Sequence, residues 1–141
     1  MSRYMMPIDD AVGLCFDAMG RMRGGEVFIL KMPRVRVGDL VEVLIEAYAP
    51  SFGFRTDEIE VQTIGARPGE KRHEVLLTDD EAQLASDVDG MFVVHGPAGG
   101  ERHPGPVTGG RGDEPLLSHP ELRELLDSAG WLRPEERPHA G

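Results

Sequence analysis

The residues best suited to chemistry lie in the stretch Gly65–Glu74, which reads Gly-Ala-Arg-Pro-Gly-Glu-Lys-Arg-His-Glu. Pro68 and Gly69 favour a tight turn directly after Arg67, which would hold the guanidinium of Arg67 in a fixed place. A guanidinium stays charged at physiological pH and can bind a diphosphate through two parallel hydrogen bonds. Lys71 would extend the positive charge beside it. This stretch therefore predicts a site for the diphosphate of a sugar nucleotide.

The same spacing allows a simpler interpretation of these charges. Arg67 could pair with Glu70 or Glu74 at the surface, an interaction that contributes little free energy. Consecutive charged residues usually face water, so Lys71 is expected to have only a supporting electrostatic role. The histidines are scattered, and His73 is more simply read as solvated. The sequence predicts no metal site.

The form Gly-x-Arg-Pro-Gly-Glu-Lys-x-x-Glu resembles the C-terminal signature of bacterial polysaccharide-biosynthesis enzymes. These are the UDP-glucose 4-epimerase and UDP-N-acetylglucosamine 4,6-dehydratase branch of the extended short-chain dehydrogenases. The resemblance implies that Arg67 contacts the UDP moiety of a UDP-sugar. It implies that Lys71 assists Arg67. The turn that presents them would consist of Gly65, Pro68, Gly69 and Glu70.

A second resemblance lies at the start of the chain, in Ser2-Arg3-Tyr4-Met5-Met6. It is similar to the family's Thr-Arg-Phe segment, which in related epimerases contributes a second cation near the diphosphate. Arg3 is the matching residue, and without the resemblance it would be read as a solvated charge near a fraying terminus. Tyr4 is expected to pack rather than react. Because the family segment lies inside complete family sequences, the resemblance predicts that this chain begins mid-protein.

The catalytic equipment of that family is absent from the sequence. There is no Gly-x-x-Gly-x-x-Gly loop for a dinucleotide, and neither Tyr4 nor Tyr48 has a lysine four residues later. We therefore expect no catalytic residue and no cofactor in this chain. NAD or NADP would be used only by a full-length or complemented enzyme, with a separately encoded Rossmann-domain chain as a possible partner.

The composition and net charge of the chain limit the kinds of partner that it can bind. The 141 residues carry a formal net charge of −10, so the chain offers nucleic acid no broad basic surface. No apolar run approaches the length of a membrane span, and no leader pattern is present. The sequence predicts a cytoplasmic protein without nucleic-acid or membrane partners. The single cysteine, Cys15, is predicted to be buried and inert.

Periodicity and capping residues predict the elements that position these residues. The acidic stretch 87–90 is interpreted as solvated surface. Trp131 is expected to dock against the last helix. Apolar spacing and end signals predict a helix over 8–22, a strand over 26–31, a helix over 37–48, a strand over 58–64, a helix over 79–84, a strand over 91–94 and a helix over 118–129.

The order of elements indicates a small α/β unit. The resemblance identifies it as the substrate-binding subdomain of an extended short-chain dehydrogenase, without the Rossmann domain. We expect a sugar-nucleotide-binding domain over 1–97, a flexible glycine- and proline-rich linker over 98–115, a terminal helix over 116–132 and a flexible tail over 133–141. The alternatives are a non-catalytic module that binds a protein or nucleotide, or a decayed remnant.

Overall fold

The computed structural model describes residues 1–96 and 107–133, which form two compact units interleaved along the chain. The first unit takes Met1–Arg3, Val35–Arg72 and the chain from Leu116, and the second takes Tyr4–Arg34 and His73–Pro115. Helices and strands are mixed, as expected of an α/β protein. In chain order the elements are β1 (Ser2–Tyr4), α1 (Ile8–Arg21), β2 (Val27–Leu30), β3 (Arg34–Arg36), α2 (Val37–Tyr48), α3 (Asp79–Leu84), β4 (Ala85–Val88), β5 (Met91–Val94) and α4 (His119–Ser128).

The second unit is built on a three-stranded antiparallel sheet in the order β2-β5-β4. Strand β5 is buried along its whole length because both of its neighbours pair with it. The predicted strands β2 and β5 are confirmed within one or two residues. Strand β2 is less buried than expected, since Val27 is exposed and the next three residues are half-buried. An edge strand shares only one side with the sheet, so this result follows from its position.

Residues 87–90 were interpreted as solvated surface, and Asp87, Asp89 and Gly90 are exposed, but the hairpin that they form between β4 and β5 was not predicted. Asp87 and Val88 belong to β4, and Val88 is paired with Met91. The two residues between them, Asp89 and Gly90, have φ values of 45° and 82°. Positive φ at both central residues defines a type I′ turn, for which Asp-Gly is a preferred sequence. The dipeptide was therefore a hairpin signal, and it was missed.

Residues 107–115 are not the flexible linker that their composition predicted. Val107 is buried in the core of the second unit together with Leu77 and Phe92. The carbonyl oxygen of Gly110 accepts hydrogen bonds from the backbone N–H groups of Leu76 and Leu77, at 2.7 and 2.8 Å. These contacts hold the segment although glycine and proline are abundant in it. Residues 98–106 of the predicted linker and 134–141 of the predicted tail lie outside the described residues.

Helix α1 forms where it was predicted, but its apolar face is exposed. It begins after Pro7, carries Asp9 and Asp10 in its first turn and contains no buried residue. Cys15 is exposed, which contradicts the prediction that it is buried. The stripe to which it belongs, here called the α1 stripe, also contains the exposed residues Ile8, Val12, Phe16, Met19 and Met22. The sequence pattern was read correctly, but nothing within the described part of this unit covers this face of the helix.

In the first unit, α2 packs against α4. Helix α4 has the predicted capping box, in which the Ser118 backbone N–H donates to Glu121 at 2.7 Å, and it supplies the buried residues Leu122 and Leu126. Helix α2 has the predicted limits, and its fully buried residue is Val43. The two helices are also linked by Arg123, which donates to Glu46 at 3.1 Å.

The strand predicted over 58–64 is wrong. A short 3-10 helix occupies Thr56–Glu58, and residues 59–67 have no regular structure. The alternating residues Ile59 and Val61 are exposed, with 36% and 58% of their surface open to solvent. A period of two makes a strand only where a neighbour completes the hydrogen bonds and covers the apolar side. This segment has neither among the described residues.

Candidate functional site

The predicted turn is present and is formed by Arg67, Pro68, Gly69 and Glu70. The backbone N–H of Glu70 donates to the carbonyl oxygen of Arg67 at 3.0 Å, which closes a four-residue turn. Gly69 has φ of 83°, a value that a side chain would strain. Proline at the second position and positive φ at the third characterise a type II turn. Gly65, which precedes it, also has positive φ, at 79°.

The side chain of Glu70 links this turn to Arg3. One of its carboxylate oxygens, Oε2, accepts the backbone N–H of Arg67 at 3.1 Å. The other, Oε1, lies 3.7 Å from Nη2 of Arg3. The Ser2 backbone N–H also donates to the carbonyl oxygen of Arg72 at 2.9 Å, which fixes the start of β1 beside the end of the motif. Two segments more than sixty residues apart thereby meet in one unit.

The cations of this site face solvent. Arg67, Lys71 and Arg72 are exposed, and within the described residues no side-chain partner is found for the guanidinium of Arg67. With Arg3, four positive side chains belong to the site, and the motif also contains the carboxylates of Glu70 and Glu74. In a chain whose net charge is −10, this is a local reversal of sign that can attract a small polyanion. The surface pairing of Arg67 with the Glu70 side chain is not observed, because Glu70 bonds the Arg67 backbone.

Tyr4 belongs to a different cluster, in the second unit. Its hydroxyl donates to Oε2 of Glu114 at 2.6 Å, and the buried Arg34 donates to the carbonyl oxygens of Gly112 and Glu114. Burial and the bond to Glu114 raise the pKa of Tyr4 to about 12. Burial opposes ionisation of Glu114 too, but the hydrogen bonds from Tyr4 and from backbone N–H groups outweigh it and lower the pKa of that carboxyl. This cluster anchors residues 110–114.

We predict that Tyr4→Phe lowers the free energy of unfolding by about 1 to 2 kcal/mol at pH 7, because a half-buried carboxylate loses its donor. The pKa of Glu114 is lower in the folded chain than its unfolded value of ~4.3, so ionised Glu114 stabilises the fold at pH values above that unfolded pKa. This stability is lost as the pH falls through the folded pKa. The raised pKa of Tyr4 affects stability at alkaline pH: the protonated hydroxyl stabilises the fold, and this stability is lost as the pH rises through about 12. Urea unfolding from pH 3 to pH 8 should show the two proteins converging at acid pH. A constant difference across that range would contradict the assignment.

A second feature of the first unit was missed by the sequence analysis. Helix α2 and the segments around it leave an open apolar cavity of about 600 Å3. Apolar residues of α2 line this cavity. Trp131, expected to dock against α4, lies on its wall, and its carbonyl oxygen accepts a hydrogen bond from the hydroxyl of Tyr48 at 2.6 Å. The lining consists of Val41, Leu44, Ile45, Tyr48, Ala49, Phe52, Phe54, Ile59 and Trp131. No motif residue lines the cavity.

Comparison with known proteins decides the family. Residues 1–96, which contain the motif turn and Arg3, match the family described as polysaccharide biosynthesis protein. The chain belongs to the polysaccharide biosynthesis protein family. The resemblance drawn from the motif is confirmed at this level. That this family member is a C-terminal region without a Rossmann domain stays a prediction.

Relatives of this family member match about two-thirds of the chain. A protein of Methanocaldococcus jannaschii, named as an uncharacterized membrane protein, is 46% identical over 67% of this chain and 28% of its own length. An inverting UDP-N-acetylglucosamine 4,6-dehydratase of Campylobacter jejuni is 30% identical over 67% of this chain and 25% of its own length. A UDP-glucose 4-epimerase of Rickettsia felis is 34% identical over 67% of this chain and 26% of its own length. The chain thus spans about a quarter of these relatives.

The solved structure of Pen from Bacillus thuringiensis shares the fold of this chain. It is 37% identical, superposes with a TM-score of 0.81, and is matched over 93% of this chain and 39% of its own. In residues 1–96 and 107–133, no helix has the length and apolar character needed to cross a bilayer. The same residues contain no cluster of three or more histidine, cysteine or acidic side chains that could hold a metal.

Proposed function

We propose that this chain is the sugar-nucleotide-binding, C-terminal part of a polysaccharide-biosynthesis UDP-sugar 4-epimerase or 4,6-dehydratase, and that it is not catalytic alone. The observation that carries the proposal is the closed turn at Arg67, which Glu70 joins to Arg3. Arg67 and Arg3 would bind the two phosphates of UDP through charge-assisted hydrogen bonds, with Lys71 adding electrostatic attraction. The names of the relatives, a UDP-N-acetylglucosamine dehydratase and a UDP-glucose epimerase, support a UDP-sugar as the ligand.

The redox cofactor would belong to another domain. Among the described glycine pairs, Gly24-Gly25 leads into strand β2, and Gly109-Gly110 lies in the segment that packs on the core. A dinucleotide loop must instead open a helix whose N-terminus receives the pyrophosphate, so these residues do not fit NAD or NADP. In a complemented enzyme, a separately encoded Rossmann-domain chain in the cytoplasm would supply the cofactor and the tyrosine–lysine pair.

Calorimetric titration of the purified chain tests this function. UDP and UDP-N-acetylglucosamine should bind saturably at low ionic strength, where charge contacts are least screened, and raising the salt to 0.5 M should weaken both. Uridine, which has the base and sugar but no phosphate, is the matched ligand and should not bind. Equal binding of uridine would contradict a diphosphate site. Absence of binding by a folded chain, checked by circular dichroism, would contradict a working site in the isolated chain.

The α1 stripe favours a second candidate function, a module that binds a partner protein. Phe16 and Met19 are 69% and 64% exposed, far above what a buried helix face shows. Contiguous apolar surface of this kind marks protein–protein contacts. The two candidates are compatible, since the partner that covers α1 could be the Rossmann-domain chain.

We predict that Cys15 reports such a partner. The thiol is exposed on the α1 stripe, so the free chain should react fully with a thiol reagent under native conditions. A Rossmann-domain chain that covers α1 should slow this reaction at least about tenfold, because reaction then requires dissociation. The double variant Phe16→Ser and Met19→Ser should restore the fast rate while changing the free energy of unfolding by only about 0.5 kcal/mol. An unchanged rate in the presence of a bound Rossmann chain would exclude α1 as the contact.

A further inference from the structure

Helix α1 has an exposed apolar face whose spacing suits a second helix. The helix contacts β2, yet none of its residues is buried, so the α1 stripe stays open to solvent. Alternating intervals of four and three residues are the spacing at which two helices pack side by side. Five residues of the α1 stripe follow these intervals, namely Ile8, Val12, Cys15, Met19 and Met22.

We propose that the free chain forms a dimer in which α1 packs antiparallel against α1 of a second copy. The stripe is centred on Cys15, which lies seven residues after Ile8 and seven before Met22. A two-fold axis beside Cys15 places Ile8 of each copy opposite Met22 of the other, so the face covers itself along its whole length. A self-complementary contact of this kind closes as a dimer. This inference does not depend on UDP-sugar binding.

The acidic start of α1 favours the antiparallel orientation. Asp9 and Asp10 lie in the first turn and are exposed, and neither forms an ion pair in the part of the chain that the structure describes. Parallel pairing would bring four unpaired carboxylates together, and like charges placed side by side oppose association. Antiparallel pairing separates the two acidic ends and also sets the two helix dipoles against each other, which is the favourable arrangement.

The opposite end of α1 carries the charges that these carboxylates would meet. Arg21 lies in the last turn and Arg23 follows it, and both are exposed. Two carboxylates lie beside them, since Asp89 is 2.8 Å from Arg21 and Glu26 accepts the backbone N–H of Arg23 at 3.2 Å. These carboxylates reduce the attraction, so the orientation depends mainly on the repulsion that antiparallel pairing avoids.

The small size of this contact makes the dimer weak. Helix α1 has 14 residues and is therefore about 21 Å long. The α1 stripe supplies six apolar side chains from each copy, whereas a stable interface uses about 20 to 30 residues on each side. We expect a dissociation constant on the order of 100 µM. Any partner chain that covers α1 must compete with this dimer, and a dimer of this affinity is easily displaced.

Sedimentation equilibrium of the full chain from about 10 µM to 1 mM tests the dimer, and the mean mass should rise from one chain toward two. The thiol of Cys15 should react about three- to fivefold more slowly at the higher concentration. Both effects should disappear in the double variant Phe16→Ser and Met19→Ser. The matched control is Val75→Ser with Leu84→Ser, because these exposed apolar residues belong to the same unit but lie outside α1. Circular dichroism checks that each variant is folded.

Disulfide cross-linking tests the orientation. In the Cys15→Ser background, Ile8→Cys and Met22→Cys chains are mixed at 1 mM and treated with diamide, which takes up two electrons and two protons as two thiols form a disulfide. The disulfide between the two different variants should predominate. Two copies of position 8 would lie about 21 Å apart in the antiparallel dimer, far beyond the ~7 Å that a disulfide can span. Predominant cross-linking of each variant to itself would overturn the antiparallel orientation.

Three outcomes of sedimentation would overturn the dimer itself. The first is a native chain that stays monomeric at 1 mM. The second is undiminished association of the Phe16→Ser and Met19→Ser variant, which would assign the contact to another surface. The third is growth beyond two copies, which would indicate an open-ended contact such as α1 against the apolar cavity beside α2. UDP binding is measured separately, so each of these outcomes leaves the proposed function unchanged.

Discussion

Arg67→Ala is expected to lower the affinity for UDP by about 100-fold, which places binding beyond calorimetric detection. A guanidinium that makes two charge-assisted hydrogen bonds to a diphosphate contributes roughly 3 kcal/mol, and alanine replaces neither bond. The fold should be unaffected, because the Arg67 side chain is exposed and the turn is closed by backbone atoms and by Glu70. Calorimetry measures the affinity, and thermal unfolding of both proteins checks that the variant is folded.

Two further variants sharpen this test. Arg67→Lys keeps the positive charge but loses the planar pair of donors, so it should retain only part of the affinity. Arg55→Ala is the matched control, because Arg55 is an exposed arginine of the same unit that pairs with Asp57 outside the motif. Its affinity should stay within about twofold of the native chain. Unchanged binding by Arg67→Ala would remove Arg67 from the phosphate site.

Leu122→Ala should produce the largest loss of stability, about 2 to 5 kcal/mol. Leu122 is fully buried on α4, in the unit where that helix packs against α2. The loss combines the transfer free energy of the removed methyl groups with the cavity that remains, and an exact value depends on how far the helices close around it. A loss of this size is a large part of the stability of a small domain.

Urea unfolding followed by tryptophan fluorescence measures this change directly. Trp131 is the single tryptophan, and its backbone N–H donates to the carbonyl oxygen of Leu126 at 2.8 Å, so its emission reports the end of α4. Glu124→Ala on the same helix is the control, because Glu124 is exposed and alanine favours a helix. The midpoint of Glu124→Ala should be nearly unchanged. If Leu122→Ala unfolds at the same urea concentration as the native chain, α4 does not contribute its buried face to the unit.

Most helices could be predicted from the sequence because their ends depend on neighbouring residues. The capping boxes Thr78–Glu81 and Ser118–Glu121 start α3 and α4 as predicted, and in each the N-cap backbone N–H bonds the glutamate three residues on. The type II turn followed equally from Pro68 and Gly69, whose allowed backbone angles favour it. The family could also be identified from this motif, since the motif is contiguous in the chain.

Strands and exposure were harder to predict because they depend on partners distant in the chain. Strand β4 forms by pairing with β5 through the Asp89-Gly90 turn, whereas residues 58–64 alternate as a strand should but have no neighbouring strand in the described ranges 1–96 and 107–133. An apolar residue at every second position shows which face of a strand is apolar, but it does not show what covers that face. The apolar period of α1 likewise shows which face of the helix is apolar without showing what covers it. Cys15 lies on that face, so it was expected to be buried, and it is exposed.

For this protein, the sequence alone determined the family, the helix limits and the turn that presents Arg67, because each of these depends on a short run of residues. The resemblance implied that Arg3 lies near the same diphosphate as Arg67, but only the tertiary structure showed that Glu70 contacts both arginines. The Ser2–Arg72 hydrogen bond joins residues 70 positions apart in the chain and holds β1 beside the end of the motif. Contacts across such a separation depend on how the whole unit packs, and no local pattern encodes them.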